Sequence, residues 1–348
     1  MKCKILFFIL LFVLNSCKKE SNDTSEDWHD ISENVRFKDD TNTFELQSGK
    51  FKYTIPQSKL PFQKVILLNA SLVGYVSELG LDNKITGISS PEYVFSPVLN
   101  ARISNGSVHN IGNEQKYDVE KIIAAKPDAV FTNYISSFDN TYGLLRKNGI
   151  EIIFLDEYLE QDPLRKAEYL LVFGKLLGAE KQAAERLGSI RAAYDSLKNL
   201  AKKAQSSPKV LANEMYGNQW FLPGGKTSLA KLIKDANAQY IIAQNTDSKA
   251  IPMSFEEVMS RAEKAEFWVN VGNHRTKKEL LSINPNYTQM PVYHSGKLYT
   301  VSGRERGRAN DFFESGVVRA DIVLKDYIKI FHPELLPEYE LTYLKELK

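Results

Sequence analysis

Three arginines set two residues apart, Arg304, Arg306 and Arg308, are the most concentrated chemistry in this sequence. Alternate residues of an extended segment share one face. The three guanidinium groups would then form a row of forks suited to carboxylate or other anionic oxygen. The competing reading is a solvated network in which Glu305, Asp311 and Glu314 neutralise at least one of them.

Other chemistries find little support. The histidines, His29, His109, His274, His294 and His332, are scattered, which argues against direct ligation of a bare metal ion. Any metal should arrive inside a chelator. There is no Gly-x-Ser-x-Gly elbow, and no pair of acids stands in a recognisable glycosidase context. Pro223-Gly224-Gly225-Lys226-Thr227-Ser228 lacks the four-residue spacer of a phosphate loop and reads as a turn that caps the next helix. The expectation is a protein that is not an enzyme and has no intrinsic cofactor, with an exported lipoprotein enzyme on a two-lobe fold as the alternative. With 45 basic and 43 acidic residues the net charge is +2, which gives no support for nucleic-acid binding.

The N-terminus has the layout of an export signal. Lys2 and Lys4 precede ten apolar residues, Ile5 to Leu14, and Leu14-Asn15-Ser16-Cys17 resembles a bacterial lipobox. A plain secretory signal with an incidental cysteine is the alternative. The expected parts are a signal peptide over 1–16 and a lipid on Cys17. Removal of Lys2 and Lys4 with no acid takes the charge from +2 to 0 and removes Cys3, so no disulfide would remain. Residues 17–43 are rich in Ser, Asn, Asp, Glu and Lys and are predicted as a lipid-anchored flexible tether.

The arginines need a framework. At 348 residues and 43% hydrophobic, the chain is long enough for two domains with their own cores. Phe44 to Lys59 suggests a short hairpin. Beyond it strands and helices alternate: strands at Val65–Leu68, Ile85–Ile88, Asp128–Thr132 and Glu151–Leu155, helices at Val119–Ala125 and Tyr142–Asn148. Asp118 is placed to cap the first of these helices and Gly149 to end the second.

From Ala179 to Ala204, Ala183, Leu187, Ile190, Tyr194, Leu197 and Ala201 recur on one helical stripe, on the order of 40 Å long. Periodicity alone leaves two readings open, a rod joining two lobes or a long helix inside one α/β domain. The pattern then restarts: strands at Lys209–Asn213, Phe267–Val271 and Leu298–Val301, helices at Ser228–Asp235, Phe255–Arg261 with Ser254 as cap, Thr276–Ser282 and about 311–331.

The order Val65-Ile66-Leu67-Leu68, Glu78-Leu79-Gly80-Leu81, Ile111-Gly112 and Asp118-Val119-Glu120-Lys121-Ile122 to Lys126-Pro127-Asp128-Ala129-Val130 resembles the periplasmic substrate-binding proteins of ABC importers for iron-siderophore complexes, haem and vitamin B12. The likeness continues through Pro223–Ser228, Gly316-Val317-Val318-Arg319-Ala320-Asp321-Ile322 and His332-Pro333-Glu334. It covers roughly Lys64 to Pro337. It implies an α/β fold of two lobes, each a mostly parallel sheet flanked by helices, joined by one rigid backbone helix, with the ligand in the cleft between them. The corresponding boundaries are 44–178 for the N-terminal lobe, 179–205 for the linking helix and 206–348 for the C-terminal lobe.

The resemblance also implies partners and sites. A surface glutamate on each lobe would dock into the permease, at Glu120 and Glu256, with Glu257 a competitor; the bland account of both is helix-dipole complementation. Cleft residues would lie on loops after strands. These are Asn69 and Ser71, Glu92 and Tyr93, Asn113 and Glu114, and Asn133 and Tyr134 in the first lobe. In the second they are Gln219 and Trp220, Asn270 and Asn273, and the arginine run. Tyr93 and Trp220 offer flat faces for a macrocycle or catecholate, core packing being their alternative. Arg304, Arg306 and Arg308 favour an anionic ferric chelate over cobalamin, while haem propionates could use one or two. The expected protein is a monomer, lipid-anchored in the bacterial cell envelope and facing the periplasm. Its expected partner is an ABC permease with its cytoplasmic ATPase.

Overall fold

The computed structural model describes residues 28–295 and 297–348. The predicted signal peptide 1–16, the lipidation site Cys17 and the tether as far as residue 27 lie outside the described residues. The rest of the predicted tether is corrected. His29–Asp30, Val35–Asp39, Thr43–Ser48 and Phe51–Pro56 form a four-stranded antiparallel sheet. A strand covered on one face needs an apolar residue only at every second position. Ile31, Val35, Phe44 and Leu46 supply the buried face within an otherwise polar composition. Ser32 Oγ, 3.4 Å from Tyr169 Oη, and the Lys175–Asp39 ion pair at 2.6 Å tie this sheet to the helix Pro163–Leu177.

Two five-stranded sheets carry the lobes. The first runs in the order Glu151–Phe154, Ala129–Thr132, Val65–Leu67, Ile85–Ile88, His109–Asn110, all parallel. The second runs Gln239–Tyr240, Lys209–Ala212, Phe267–Val271, Leu298–Thr300 in parallel, closed by the antiparallel Lys345–Glu346. Central strands such as Val65–Leu67 and Ala129–Thr132 are buried throughout, as strands covered by helices on both faces must be.

The linking helix spans Glu180–Ala201. Its stripe is shared between two cores: Ala183, Leu187 and Ile190 pack into the first, Tyr194 and Ala201 into the second. That division selects the rod over the single-domain reading. Gly178, at φ 75°, ends the preceding helix and turns the chain into the rod.

The predicted helix 311–331 is broken. A turn at Asp311–Phe313 and a short helix Ser315–Val318 precede the helix Ala320–Phe331. Val318 belongs to the first core and Ala320, Val323 and Leu324 to the second, so the chain crosses between lobes a second time. The crossing is tight: a Cβ on Gly74 would lie 2.2 Å from the carbonyl oxygen of Glu314. The lobes are thus joined at two places, the helix Glu180–Ala201 and the segment around Ser315–Val318.

Candidate functional site

Open parallel sheets gather ligands beyond the carboxyl ends of their strands, where the strand order reverses. In the first sheet that point lies between Val65–Leu67 and Ala129–Thr132, and the loops leaving them bring Asn69 Nδ2 onto Asn133 Oδ1. Ser71 Oγ donates to Glu157 Oε1 at 2.5 Å; Asn133 Nδ2 donates to Glu157 Oε2 at 3.0 Å and to Leu155 O at 2.6 Å. Burial pushes the Glu157 carboxyl above the usual range, against the hydrogen bonds from Ser71 and Asn133. Asn69 and Asn133 are therefore brought together, as a polar cluster whose groups largely satisfy one another.

In the second sheet the reversal lies between Lys209–Ala212 and Phe267–Val271. Glu214, just past the first strand, meets His274, just past the second, at 2.7 Å, and accepts the N–H of Gly272 at 3.2 Å. Among the described residues no group of three or more His, Cys, Asp or Glu is arranged to hold a metal ion.

A cavity of about 270 Å³ lies where the lobes meet. Pro163 and Lys166 come from the helix of the first lobe; Ser228, Leu229, Asn270 and Tyr327 come from the second; Phe312, Phe313, Gly316 and Val317 come from the crossing segment. Asn270, at φ 55°, accepts the Tyr327 hydroxyl at 2.6 Å and so has a set position on the wall. Lys166 is the one charged lining residue among those described, and burial lowers its pKa, against the pull of Glu157 and Glu160. Two larger grooves, about 930 and 460 Å³, flank the helix Ser228–Asp235. The larger is walled by the second lobe alone, and the smaller by that lobe and the end of the linking helix, so neither lies between the sheets' carboxyl ends.

Several predicted site residues are placed elsewhere. Trp220 is fully buried, packed on Trp268 at 5.3 Å and Tyr287 at 5.5 Å, with its Nε1–H donated to Ala212 O at 3.0 Å. Its segment is the strand Gln219–Pro223, and strand alternation turns Trp220 and Leu222 inward while Gln219 and Phe221 face out. Tyr134 is also off the cavity wall. Its ring packs on Phe51 at 4.9 Å under the Lys50 ammonium at 4.2 Å, and its hydroxyl donates to Asp139 Oδ2 at 3.0 Å. The N-terminal sheet has captured it.

The arginine row is bent by a hairpin. Glu305–Arg306 pairs with Ala309–Asn310 around Gly307, and the three guanidiniums converge on Tyr93–Phe95 instead of standing as a free row. Arg304 pairs with the buried Asp311 at 3.1 Å and lies over the Phe95 ring at 5.1 Å. Arg306 Nη2 donates to Val94 O at 3.1 Å, and Arg308 lies over Tyr93 at 4.7 Å while donating to its hydroxyl. All three reach across to Tyr93–Phe95 of the first lobe. Among the described residues no carboxylate lies within ion-pair distance of Arg306 or Arg308.

The remaining predicted positions are exposed. Asn113 folds into a local turn, its Oδ1 accepting the N–H of Gln115 at 2.9 Å. Glu120 and Glu256 stand in the first turns of Val119–Ala125 and Phe255–Arg261, capped by Asp118 and Ser254 as predicted. Sequence reasoning missed Lys166, Phe312, Phe313 and the Glu214–His274 pair. The loop rule applied to Glu151–Phe154 leads through residues 155–162 to the helix whose first turn carries Lys166.

Known proteins resemble this chain over most of its length. The sequence model described as periplasmic binding protein matches residues 65–304, more than half of the chain. The uncharacterized lipoprotein MJ0878 of Methanocaldococcus jannaschii is 22% identical over 285 residues, covering 79% of this chain and 66% of the relative. The chain spans about two thirds of the length of the curated relatives it matches. A periplasmic heme binding protein from Pseudomonas aeruginosa superposes with a TM-score of 0.63 at 17% identity, over 82% of this chain and 98% of that one. Helicobacter pylori CeuE with Ni(II) bound gives 0.63 at 16%, over 85% and 91%. At these identities the structural likeness establishes the two-lobed α/β fold.

Proposed function

Because this chain belongs to the periplasmic binding protein family, we propose that it captures an anionic, iron-siderophore-type metal chelate in the cleft between its lobes and delivers it to an ABC permease. The observation that carries this reading is the cavity walled by both lobes, with Asn270 of a central strand of the second sheet on its wall. Its apolar wall and single cation suit an organic chelate with anionic oxygen better than a bare ion. Phe312 and Phe313 suit haem equally, and haem and cobalamin are the alternative ligands. Glu120 and Glu256 are the permease-docking residues in this proposal.

Anchoring through lipid on Cys17 belongs to the same reading. It is supported by the Leu14–Cys17 motif and by the description of a relative as a lipoprotein. Among the described residues no helix is long and apolar enough to cross a membrane. The test is calorimetric titration of the full chain in detergent with ferric catecholate, ferric hydroxamate, ferric citrate, haem and cobalamin. Saturable one-to-one binding of a ferric chelate without turnover is expected. Binding of cobalamin alone would move the ligand class, and silence from all five would overturn the reading.

A further inference from the structure

Lys166 is a half-buried cation with no ion-pair partner among the described residues. It stands in the first turn of Pro163–Leu177 and lines the inter-lobe cavity among apolar neighbours. The carboxylates that act on it through space, Glu157 and Glu160, have taken other partners. Both oxygens of Glu157 accept hydrogen bonds, from Ser71 and Asn133, and Glu160 Oε1 accepts the N–H of Asp162 at 2.7 Å. The second lobe offers Ser228, Asn270 and Tyr327 to this space and no acid, and Asn270 Oδ1 is already bonded to Tyr327. Desolvating an ammonium is costly unless it gains a direct anionic partner, and Glu157 and Glu160 act on this one only through space. Here the ammonium lines the cavity with no side chain committed to it, open to an anionic group that enters.

We propose that Lys166 is the anion-receiving group of the cleft, binding a carboxylate or phenolate oxygen of the ligand while the ligand's apolar face lies against Phe312 and Phe313. This rests on the binding-protein reading and changes which residue selects the ligand's charge. Arg304, Arg306 and Arg308 are engaged with Tyr93–Phe95 of the first lobe, and Arg304 also with the nearby Asp311, whereas Lys166 is held for the ligand. A volume of about 270 Å³ accommodates one arm of a large chelate, so the rest of the molecule extends toward the mouth of the cleft.

Two measurements on the full chain in detergent test the assignment. The first compares wild type, Lys166→Met and Lys166→Arg for affinity toward haem, ferric citrate, a ferric catecholate and cobalamin. Loss of roughly tenfold or more with Lys166→Met for the anionic probes, partial recovery with Lys166→Arg and no change for cobalamin is the expected result. Equal affinity of Lys166→Met and wild type for an anionic probe overturns the assignment while leaving the binding-protein reading in place. The second measurement is thermal unfolding without ligand. Removing a half-buried charge that has no ion pair should raise the midpoint of Lys166→Met; a lowered midpoint identifies Lys166 as a structural partner of Glu157 and Glu160 and overturns the assignment whatever the ligand. Failure of every probe to bind wild type instead sinks the chelate reading itself.

Discussion

Glu314 accepts the backbone N–H of Ser96 at 2.9 Å through Oε1, and that of Phe95 at 2.6 Å through Oε2. The returning C-terminal segment thus binds the start of the first-lobe helix Pro97–Ser104, whose N-cap is Ser96. Burial pushes the Glu314 carboxyl up to about 7 against these two bonds, with Asp311 and Asp82 adding to the rise. A carboxyl raised above its unfolded value stabilises fully below about pH 4.5 and loses that contribution as pH rises through about 7. The difference amounts to roughly 3 kcal/mol at most. Urea unfolding from pH 5 to pH 8 should therefore show falling stability in wild type and a flatter profile in Glu314→Gln. An unchanged slope in the variant would remove Glu314 as the cause.

The same crossing leaves no room for a side chain at Gly74. Its Cβ would lie 2.2 Å from Glu314 O and 2.8 Å from the carbonyl carbon, both backbone atoms that cannot rotate away. Gly74→Ala is expected to cost about 1–3 kcal/mol through overpacking. A melting temperature equal to wild type would mean that the two segments separate easily.

Trp220 offers a clean separation of stability from binding. Trp220→Phe removes the bond to Ala212 O and part of the packing on Trp268, a loss of about 1–3 kcal/mol. Ligand affinity measured well below the melting temperature should not change. A large fall in affinity at unchanged stability would return Trp220 to the cleft.

Arg306 and Arg308 remain exposed and without carboxylate partners among the described residues. Their charge should act on approach more than on residence. The double variant Arg306→Ala, Arg308→Ala is expected to slow association of an anionic chelate several-fold at low salt, with little effect at high salt. Stopped-flow measurements across ionic strength check this, and a salt-independent deficit would point to direct contact instead.

Charge reversal at Glu120 and Glu256 should abolish uptake while leaving chelate affinity intact. Both are exposed in the first turns of capped helices, so each reversal costs only about 0.3–1 kcal/mol of dipole complementation. Uptake surviving the double change would dismiss the docking role.

What the sequence by itself determined was whatever rests on local pattern. The strand and helix alternation, the caps at Asp118 and Ser254 and the stripe of the linking helix each depend on residues within a turn or two of one another. The order of those elements carried the family resemblance as well. Polar composition misled at residues 29–43, because an antiparallel strand needs only half its residues to be apolar.

The site was decided by tertiary structure. Whether Trp220 faces a core or a cleft depends on its ribbon pairing with Ala250–Met253, about thirty residues away. The arginine run bends because Gly307 turns it into a hairpin, and its ends meet Tyr93–Phe95 from more than two hundred positions earlier. Lys166 looks like any helix-surface lysine in the sequence. Only the meeting of the two lobes around the cavity and the hydrogen bonds of Glu157 to Ser71 and Asn133 leave it half-buried and without an ion pair among the described residues. Local pattern specifies which elements form; desolvation and charge at a site depend on which distant elements close over it.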